Sequence, residues 1–392
     1  MKYKTEFEKV VLIVNFERLG WQRVESESDW NFCWASVSSV RSMFHPDSGI
    51  RLADDRIINH FPTHYELTRK DYMAKNIKRY KKDKDREREI GIHNGSDLAD
   101  STVNAAGETL SDFVPLTYSL PSDYAIFSEE FKKSGSLWIV KPANKSQGQG
   151  IFLVSKLSQI NKWTKHKFQD SKEDASANPF IVCKYIENPL LIGEKKFDLR
   201  LYVLVTSYRP LRAYLHSGAF CRFCTVKYNS DVSEIENLFA HLTNVAVQKQ
   251  GDEYNEVHGG KWHLRNLRLY IEGTAGHEVA KTLFDNISFV MVQSLKAVQN
   301  VMNNDRHCFE LYGYDMLIDT AYRPWLIEIN ASPSLTVTTQ NDKLLKQEVI
   351  RDTLNIVIPP NFPVGPKTYR DHRLAKDLSL GGFTVLVDEV PS

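Results

Sequence analysis

The stretch LYGYDMLIDTAYRPWLIEIN, residues 311–330, has the pattern of two apolar strands joined by a short polar turn. If residues 320–323 close an antiparallel hairpin, Asp315 lies directly opposite Glu328. Directly opposed side chains share one face of a sheet, with Cβ atoms roughly 5 Å apart, and period-two alternation places Asn330 on that face. The sequence therefore predicts that three oxygen-bearing side chains converge on one face of a hairpin.

The predicted register, in which Asp319 pairs with Pro324, brings two carboxylates close enough to repel unless one is protonated or a cation lies between them. Mg²⁺ prefers a few oxygen ligands together with substrate phosphates, which makes Asp315, Glu328 and Asn330 candidate ligands. The alternative is that both acids decorate the exposed face of a sheet. The apolar neighbours of Glu328 argue against it, because an unpaired carboxylate in apolar surroundings is costly.

The composition is that of an ordinary globular protein of two or three folding units, with 392 residues of which 42% are hydrophobic. Its 50 Lys and Arg residues against 49 Asp and Glu give a net charge of +1, so a preference for acidic partners must come from local patches. Five cysteines do not form a dense, even disulfide framework, which predicts a reducing compartment. Residues 1–14 lack a signal-peptide pattern and an apolar run long enough to span a bilayer, so we expect a cytosolic protein without membrane insertion. We also expect no nucleic-acid partner.

Changes in composition predict five segments along the chain. They are a small N-terminal α/β domain ending in a basic helix at residues 1–90, a flexible linker at 91–111, a central domain at 112–190, a C-terminal domain with the hairpin at 191–358, and a Pro-rich, partly disordered tail at 359–392. Within them, apolar spacing predicts a helix at residues 284–301 and a strand hairpin from 137–141 to 150–154.

Residues 69–89 are the most strongly charged part of the chain, with ten basic and five acidic side chains. One interpretation is a helix whose charged face is simply solvated, as most such faces are. The other is a cationic track for an acidic polypeptide, running through Lys75, Lys78 and Arg79. Both interpretations stay open at this point.

A lysine-bearing strand at residues 138–142 precedes a glycine-containing loop. Gly148 and Gly150 would let backbone N–H groups approach phosphate oxygens, and Lys141 would supply a point charge. The loop is not a P-loop, because no Gly-Lys-Ser/Thr follows it. By itself, the pattern is also that of a plain hairpin tip.

Charged Lys196, Asp198 and Arg200 alternate with apolar residues and so point to one side of a strand. Such a row suits either a site that neutralises phosphate and carboxylate charge or an exposed edge strand. The Cys-x-x-Cys pattern at residues 221–224 lacks the second pair of a structural zinc site. This favours two ordinary strand cysteines over a metal or redox site.

Six motifs, taken in chain order, carry a resemblance to a known family. They lie at residues 65–70, 138–142, 148–151, 196–200, 241–244 and 325–330. Together they resemble the tubulin–tyrosine ligase-like family, and NPLLIG at 188–193 and NASPSL at 330–335 are similar to its polyglutamylase branch. The resemblance implies an α/β (α+β), ATP-grasp-like fold in which two antiparallel sheets sandwich ATP.

The resemblance also implies roles for individual residues. The ATP phosphates would be contacted by Lys70, Lys141, Gln147, Gly148 and Gly150, and the adenine by Lys184, Tyr185 and Ile186. The remaining nucleotide and amino-acid contacts would come from Lys196, Asp198, Arg200, Arg222, His241, Thr243 and Asn244, and Mg²⁺ would be held by Asp315, Glu328 and Asn330. Arg200 and Glu328 would be the catalytic residues. Gln149 stands where many relatives carry lysine, so one phosphate-facing charge is missing.

The implied reaction is phosphorylation of a glutamate γ-carboxylate in an acidic tubulin tail, followed by attack of the amine of free glutamate. A carboxylate is a poor electrophile until it carries a leaving group, and cations offset the charge on the transferring phosphoryl group. The resemblance, which is to a catalytic subunit of a tubulin polyglutamylase complex, implies partner subunits that supply targeting to microtubules. It also implies a location in the cytoplasm, the cytoskeleton and the cilium axoneme or basal body.

Two alternatives stay open. In the first, the chain is a glycylase or a glutamylase of a non-tubulin protein, because the choice of amino acid rests on a few pocket side chains. In the second, it is a non-catalytic tubulin-binding scaffold. The filled positions Asp315, Glu328 and Asn330 argue against the second alternative.

Overall fold

A computed structural model describes residues 1–26, 28–90, 112–143, 145, 148–160, 179–229, 236–251, 260–359, 362 and 378–390. The predicted linker at 91–111 and the predicted phosphate contact Gln147 lie outside these residues. Over the described part, the chain is a mixed α/β protein with one parallel and two antiparallel sheets.

The N-terminal region forms the parallel sheet. Its strands are β1 Lys2–Thr5, β2 Gln22–Arg23, β3 Phe32–Trp34 and β4 Ile57–Ile58, in the spatial order β2-β1-β3-β4. Its helices are α1 Val10–Arg18, α2 Val37–Met43, α3 Tyr65–Thr68 and α4 Lys70–Glu89, with a 3-10 turn at Pro46–Ser48. Val11, Leu12 and Phe16 of α1 are fully buried, because they recur on one face at helical spacing. α4 coincides with the basic run and confirms the helix predicted there.

The central region forms a four-stranded antiparallel sheet. Its strands are β5 Thr117–Leu120, β6 Trp138–Pro142, β7 Phe152–Val154 and β8 Phe180–Lys184, in the order β5-β8-β6-β7, and its helix is α5 Tyr124–Ser134. β6 and β7 pair antiparallel, which confirms the predicted strand hairpin. Fully buried Trp138 packs against Phe127 and Phe131, so α5 and this sheet share one hydrophobic cluster.

The C-terminal region forms an eight-stranded antiparallel sheet. Its strands are β9 Leu191–Ile192, β10 Lys195–Tyr208, β11 Leu211–His216, β12 Phe220–Phe223, β13 Lys261–His263, β14 Glu310–Ile318, β15 Pro324–Asn330 and β16 Phe383–Asp388. Its helices are α6 Leu238–His241, α7 Val245–Gln248, α8 Leu264–Ala275, α9 His277–Gln299 and α10 Gln340–Val357. The main path is β13-β12-β10-β11-β16, and β14 pairs with β10 on one side and β15 on the other. α9 contains the apolar repeat predicted to be helical.

The sheet excludes one interpretation of the charged row and includes one strand that was not predicted. β10 is an interior strand, between β12 and β14 at the positions of Asp198 and Arg200, so the edge-strand interpretation of its charged row fails. Within the predicted tail, β16 pairs with β11, a strand pairing that was not predicted, while the expected partial disorder stays a prediction. The prolines that precede β16 in the sequence gave no indication of this distant pairing.

The decisive hairpin forms with a shifted register near its turn. Asp315 lies opposite Glu328 as predicted, but Ile318, rather than Asp319, pairs with Pro324. The slip is absorbed by a bulge, because Asp315 pairs with Glu328 whereas the next residue, Met316, pairs with Leu326.

The Asp319 side chain explains the shift in register. It accepts hydrogen bonds from the backbone N–H groups of Ala321 and Arg323, at 2.9 and 3.0 Å, and from the indole of Trp325 at 2.9 Å. Asp319 therefore closes the turn with its side chain instead of extending the ladder.

The hydrophobic clusters cross the predicted domain boundaries. Phe16 of α1 and Phe32 of β3 share a cluster with Tyr202, Phe309 and Leu354 of the C-terminal region. The division into five segments therefore stays a prediction. Among the described residues, none of the helices combines the length and apolar character needed to cross a bilayer.

Candidate active site

A cleft opens between the two antiparallel sheets. The smaller sheet contributes Lys141 and Cys183 to its wall, and the larger contributes Asp198, Asp315 and Glu328. The predicted site residues that line the cleft are Lys70, Lys141, Gly148, Lys184, Tyr185, Ile186, Lys196, Asp198, His241, Thr243, Asn244, Asp315 and Glu328. The sequence motifs, which are spread over more than 250 residues of chain, therefore meet in one place.

Glu328 is held from two sides at the floor of this cleft. Its Oε2 lies 3.0 Å from Nζ of Lys70, the first residue of α4. Its Oε1 accepts a 3.3 Å hydrogen bond from Nδ2 of Asn330. Lys70 also donates to the backbone carbonyl of Lys145, 3.0 Å away, so one lysine joins α4, the hairpin and the glycine-containing loop.

Asp315 is buried between two arginines. Its Oδ1 and Oδ2 accept bonds of 2.6 and 3.0 Å from Nε and Nη2 of Arg200, and Nη2 of Arg222 lies 2.9 Å from Oδ2. Burial alone would raise the pKa of Asp315, but the two guanidinium groups more than offset it and hold that pKa well below its usual range. Asp315 is therefore ionised at neutral pH.

Arg222 connects this carboxylate to a second one. Its Nε donates a 2.7 Å bond to Oδ1 of Asp198, whose Oδ2 accepts a 2.6 Å bond from the hydroxyl of Thr243. The sheet register accounts for the arrangement, because Asp198 pairs with Arg222 across β10 and β12 while Arg200 pairs with Asp315 across β10 and β14. Each acidic side chain therefore lies opposite an arginine on the neighbouring strand.

Lys196 holds the adjacent wall of the cleft. Its Nζ donates to the hydroxyl of Tyr185 at 2.8 Å and to the backbone carbonyl of His241 at 2.9 Å. Tyr185 also shares a 3.0 Å hydrogen bond with Nδ1 of His241. This network ties the segment after β8 to α6, and burial raises the pKa of Tyr185, which keeps its hydroxyl protonated.

Burial makes the charged form of two lysines in the cleft less favourable. Burial lowers the pKa of both Lys141 and Lys196, because an ammonium group taken out of water loses solvation. Nearby acids oppose the effect only partly. An anion bound in the cleft would offset this cost, so the wall is suited to phosphate groups.

The glycine-containing loop closes over the same cleft. Gly148 and Gly150 have φ values of 78° and 70°, in the region that favours glycine. A Cβ atom on Gly148 would lie 2.9 Å from Cγ2 of Val247 and 3.5 Å from Oδ1 of Asn244. The loop therefore packs against the start of α7 in a way that excludes a side chain, whereas Gly150 lies beside Pro142.

The residues present fit Mg²⁺ as a partial protein site. Asp315 accepts three N–H groups and keeps about one of its four lone-pair sites, and Glu328 accepts only two. The side-chain oxygen of Asn330 accepts no hydrogen bond within the described part of the chain. The same part holds no group of three or more His, Cys, Asp and Glu suited to a metal. Two carboxylates and an amide suit an ion that completes its shell with water and phosphate.

Cys221 and Cys224 have the properties of structural residues. All five cysteines of the chain are free and buried. Burial raises the pKa of Cys224 to about 12 and that of Cys221 further above its ordinary value. Thiols with raised pKa values are poor nucleophiles and poor metal ligands, in agreement with the interpretation as strand cysteines.

A charged cluster beside the arginines was missed by the sequence reasoning. Oδ2 of Asp342 lies 3.1 Å from Nζ of Lys261 and 3.1 Å from Nζ of Lys346. It also accepts from the backbone of Thr338, which fastens the loop after the hairpin to β13. Burial lowers the pKa of Lys346 to about 8. The i,i+4 spacing of Asp342 and Lys346 could have predicted their ion pair from the sequence. Lys261 could not be predicted in this way, because it reaches the cluster only through the strand pairing that places it opposite Arg222.

Comparison with known proteins adds independent findings. Residues 50–365 match the model of the tubulin-tyrosine ligase family. The probable alpha-tubulin polyglutamylase Ttll1 of Tetrahymena thermophila is 48% identical over 99% of this chain and 93% of its own length. The probable tubulin polyglutamylase TTLL9 of Rattus norvegicus is 37% identical over 100% of this chain and 84% of its own length. The tubulin polyglutamylase TTLL5 of Homo sapiens is 33% identical over 85% of this chain but only 24% of its own length.

Proposed function

Because this chain belongs to the tubulin-tyrosine ligase family, we propose that it is a tubulin polyglutamylase, which uses ATP and Mg²⁺ to join glutamate to γ-carboxyl groups in tubulin tails. The near-complete relatives at 37% and 48% identity, both named as tubulin polyglutamylases, support this choice. The observation that carries it is the cleft, which is lined by the carboxylate pair Asp315 and Glu328 and by three lysines, while two arginines contact Asp315. The cations are Lys70, Lys141, Lys196, Arg200 and Arg222.

We propose an ATP-grasp arrangement in which the nucleotide lies between the two antiparallel sheets. Lys184, Tyr185 and Ile186 follow one another along the cleft wall and would contact the adenine. Lys141 and the backbone of Gly148 would face the phosphates. In this arrangement, residues 112–190 supply the smaller sheet, and residues 191–358 together with β16 supply the larger one.

The cations of the cleft would act on charge that moves during the reaction. Lys70 touches Glu328 and the glycine-containing loop, so it is placed to neutralise a transferring phosphoryl group. Arg200 is held by Asp315 at a fixed orientation and would bind the acceptor carboxylate. The acceptor γ-carboxylate would take the γ-phosphoryl group from ATP with release of ADP, and the amine of free glutamate would then attack the acyl phosphate, lose a proton and release inorganic phosphate.

Asp315, Glu328 and Asn330 would hold Mg²⁺. The ion would supply charge stabilisation to the phosphate oxygens as the phosphoryl group moves. The arginines beside Asp315 keep that carboxylate ionised, so it is ready to bind a cation without first losing a proton.

The amino-acid donor decides between polyglutamylase and the alternative glycylase. We expect the chain to incorporate labelled glutamate, and not labelled glycine, into tubulin when ATP and Mg²⁺ are present. Scintillation counting of tubulin after parallel incubations measures this, with an ATP-free incubation and tubulin lacking its C-terminal tails as controls. Incorporation of glycine alone would assign the chain as a glycylase, and incorporation without tails would exclude the tails as acceptor.

The proposal includes partner subunits and a place on microtubules of the cytoplasm and cilium. The resemblance to a catalytic subunit supports it. We expect the purified chain to modify microtubules slowly, and the chain isolated together with its partners to modify them at least about tenfold faster, because targeting raises the local substrate concentration. The initial rate of glutamate incorporation measures this. Equal rates for the two preparations would remove the partner subunits from the proposal.

A further inference from the structure

The outer face of α4 carries a row of cations. Its exposed positions between 75 and 82 are Lys75, Lys78, Arg79 and Lys82, all of them basic, and exposed Arg86 continues the row. Their spacing of three, four, seven and eleven residues places them on one side of the helix. Within the residues that the structure describes, none of these five side chains has an ion pair or hydrogen bond. These five residues are the cationic row.

Folding does not account for the cationic row. The opposite face of α4 anchors the helix, because Met73 and Ile77 are buried and the hydroxyl of Tyr80 lies 3.1 Å from Oε1 of Gln293 on α9. Lys78 and Lys82 are four residues apart, and like charges at this spacing lower the stability of a helix. Exposed Asp83 and Asp85 flank the row on the same helix, but within the described chain they form no ion pair with it.

The cationic row continues the wall of the cleft. Ala74 of α4 lines the cleft, and Lys78 lies one helical turn beyond it, with Cβ atoms about 6 Å apart. Lys82 follows after a further turn. A polypeptide that leaves the cleft along α4 therefore meets these side chains in succession.

We propose that the cationic row binds the acidic tail of the protein substrate where that tail leaves the cleft. This inference rests on the proposed function, which places the acceptor glutamate of the tail in the cleft. From Lys75 to Arg86 the helix rises about 16 Å, and an extended peptide covers that distance with about five residues. Five consecutive acidic residues would thus lie along five cations.

An acidic polypeptide fits this surface better than a nucleic acid. Binding of single strands relies on exposed aromatic side chains on which bases stack. The exposed positions of α4 between 75 and 82 carry none, and Tyr80 is half-buried and hydrogen-bonded. The partner is therefore a flexible chain with closely spaced carboxylates.

The test compares two double variants that each remove two positive charges from an exposed helix. Lys78→Gln/Lys82→Gln alters the cationic row, and Lys132→Gln/Lys133→Gln alters the last turn of α5, outside the cleft. For the first variant we expect the KM for tubulin to rise about three- to tenfold with kcat unchanged, and the difference to shrink as salt is raised. For the second we expect wild-type constants. Fluorescence anisotropy of a labelled, Glu-rich 15-residue peptide, used at about 1 μM, gives affinity without catalysis.

The outcomes separate the two proposals. If wild-type protein binds the peptide but incorporates no glutamate, the proposed function fails. If the two double variants have equal KM values and equal peptide affinities while wild-type protein is active, the cationic row is not the tail site. If RNA of equal length displaces the peptide at equal concentration, the row is a nucleic-acid surface and the inference is overturned.

Discussion

Glu328→Gln should reduce ATP-dependent incorporation of glutamate into tubulin by at least about 100-fold, equivalent to about 3 kcal/mol of transition-state stabilisation. The substitution keeps the shape of the side chain but removes the charge that faces Asp315 across the hairpin and Lys70 across the cleft. The amide oxygen carries no formal charge, so one of the two negative charges of the proposed Mg²⁺ site, and with it the charge balance at the phosphates, would be lost. Initial rates with labelled glutamate, tubulin and partner subunits measure the effect.

A matched control separates this loss from unfolding. Glu272→Gln removes the same charge from α8, where Glu272 forms an exposed i,i+4 pair with Arg268 at 3.1 Å. It should retain the wild-type rate, because exposed pairs contribute little to stability. Thermal unfolding with ATP gives a second readout: added Mg²⁺ should raise the Tm of wild-type protein and of Glu272→Gln, but not that of Glu328→Gln. Equal incorporation by wild-type protein and Glu328→Gln would refute the metal assignment.

Local patterns predicted the strands and helices around the site well. Period-two alternation and a short polar turn predicted that Asp315 lies opposite Glu328. This pairing is observed, although the predicted pairing at the turn is wrong. The error came from Asp319, whose side chain satisfies three donors of the turn, a competition that the hydrophobic pattern does not record. The bulge beside Asp315 then restored the predicted register further along β15.

Contacts between distant segments could not be derived in this way. The row of Asp198, Arg222 and Lys261 depends on how β10, β12 and β13 pair, and no local spacing sets that register. β16 was missed for the same reason, since its partner β11 lies more than 160 residues earlier in the chain. The family resemblance predicted Arg222 as a site residue, but only the sheet register accounts for its contact with two carboxylates.

Arg222→Met should lower the free energy of unfolding by about 3 to 5 kcal/mol, because it leaves buried Asp198 with only the Thr243 hydroxyl as partner. Arg268→Met, which breaks an exposed pair with Glu272, should cost at most about 0.5 kcal/mol. Urea unfolding followed by tryptophan fluorescence measures both. A cost for Arg222→Met no larger than that for Arg268→Met would contradict the bridging role.

The double variant Asp198→Asn/Arg222→Met isolates the cause of this loss. If an unpaired buried charge is responsible, the double variant should be more stable than Arg222→Met alone, although it has lost both partners. A double variant less stable than Arg222→Met would show that the arginine acts through packing instead of charge.

The pH dependence of stability gives a further check through the pKa of Asp315. Its lowered pKa contributes stability that is present above the ordinary value of 3.8 and is lost as the pH falls below it. Removing Arg222 raises that pKa toward its ordinary value, so the variant should lose less stability than wild-type protein between neutral and acidic pH.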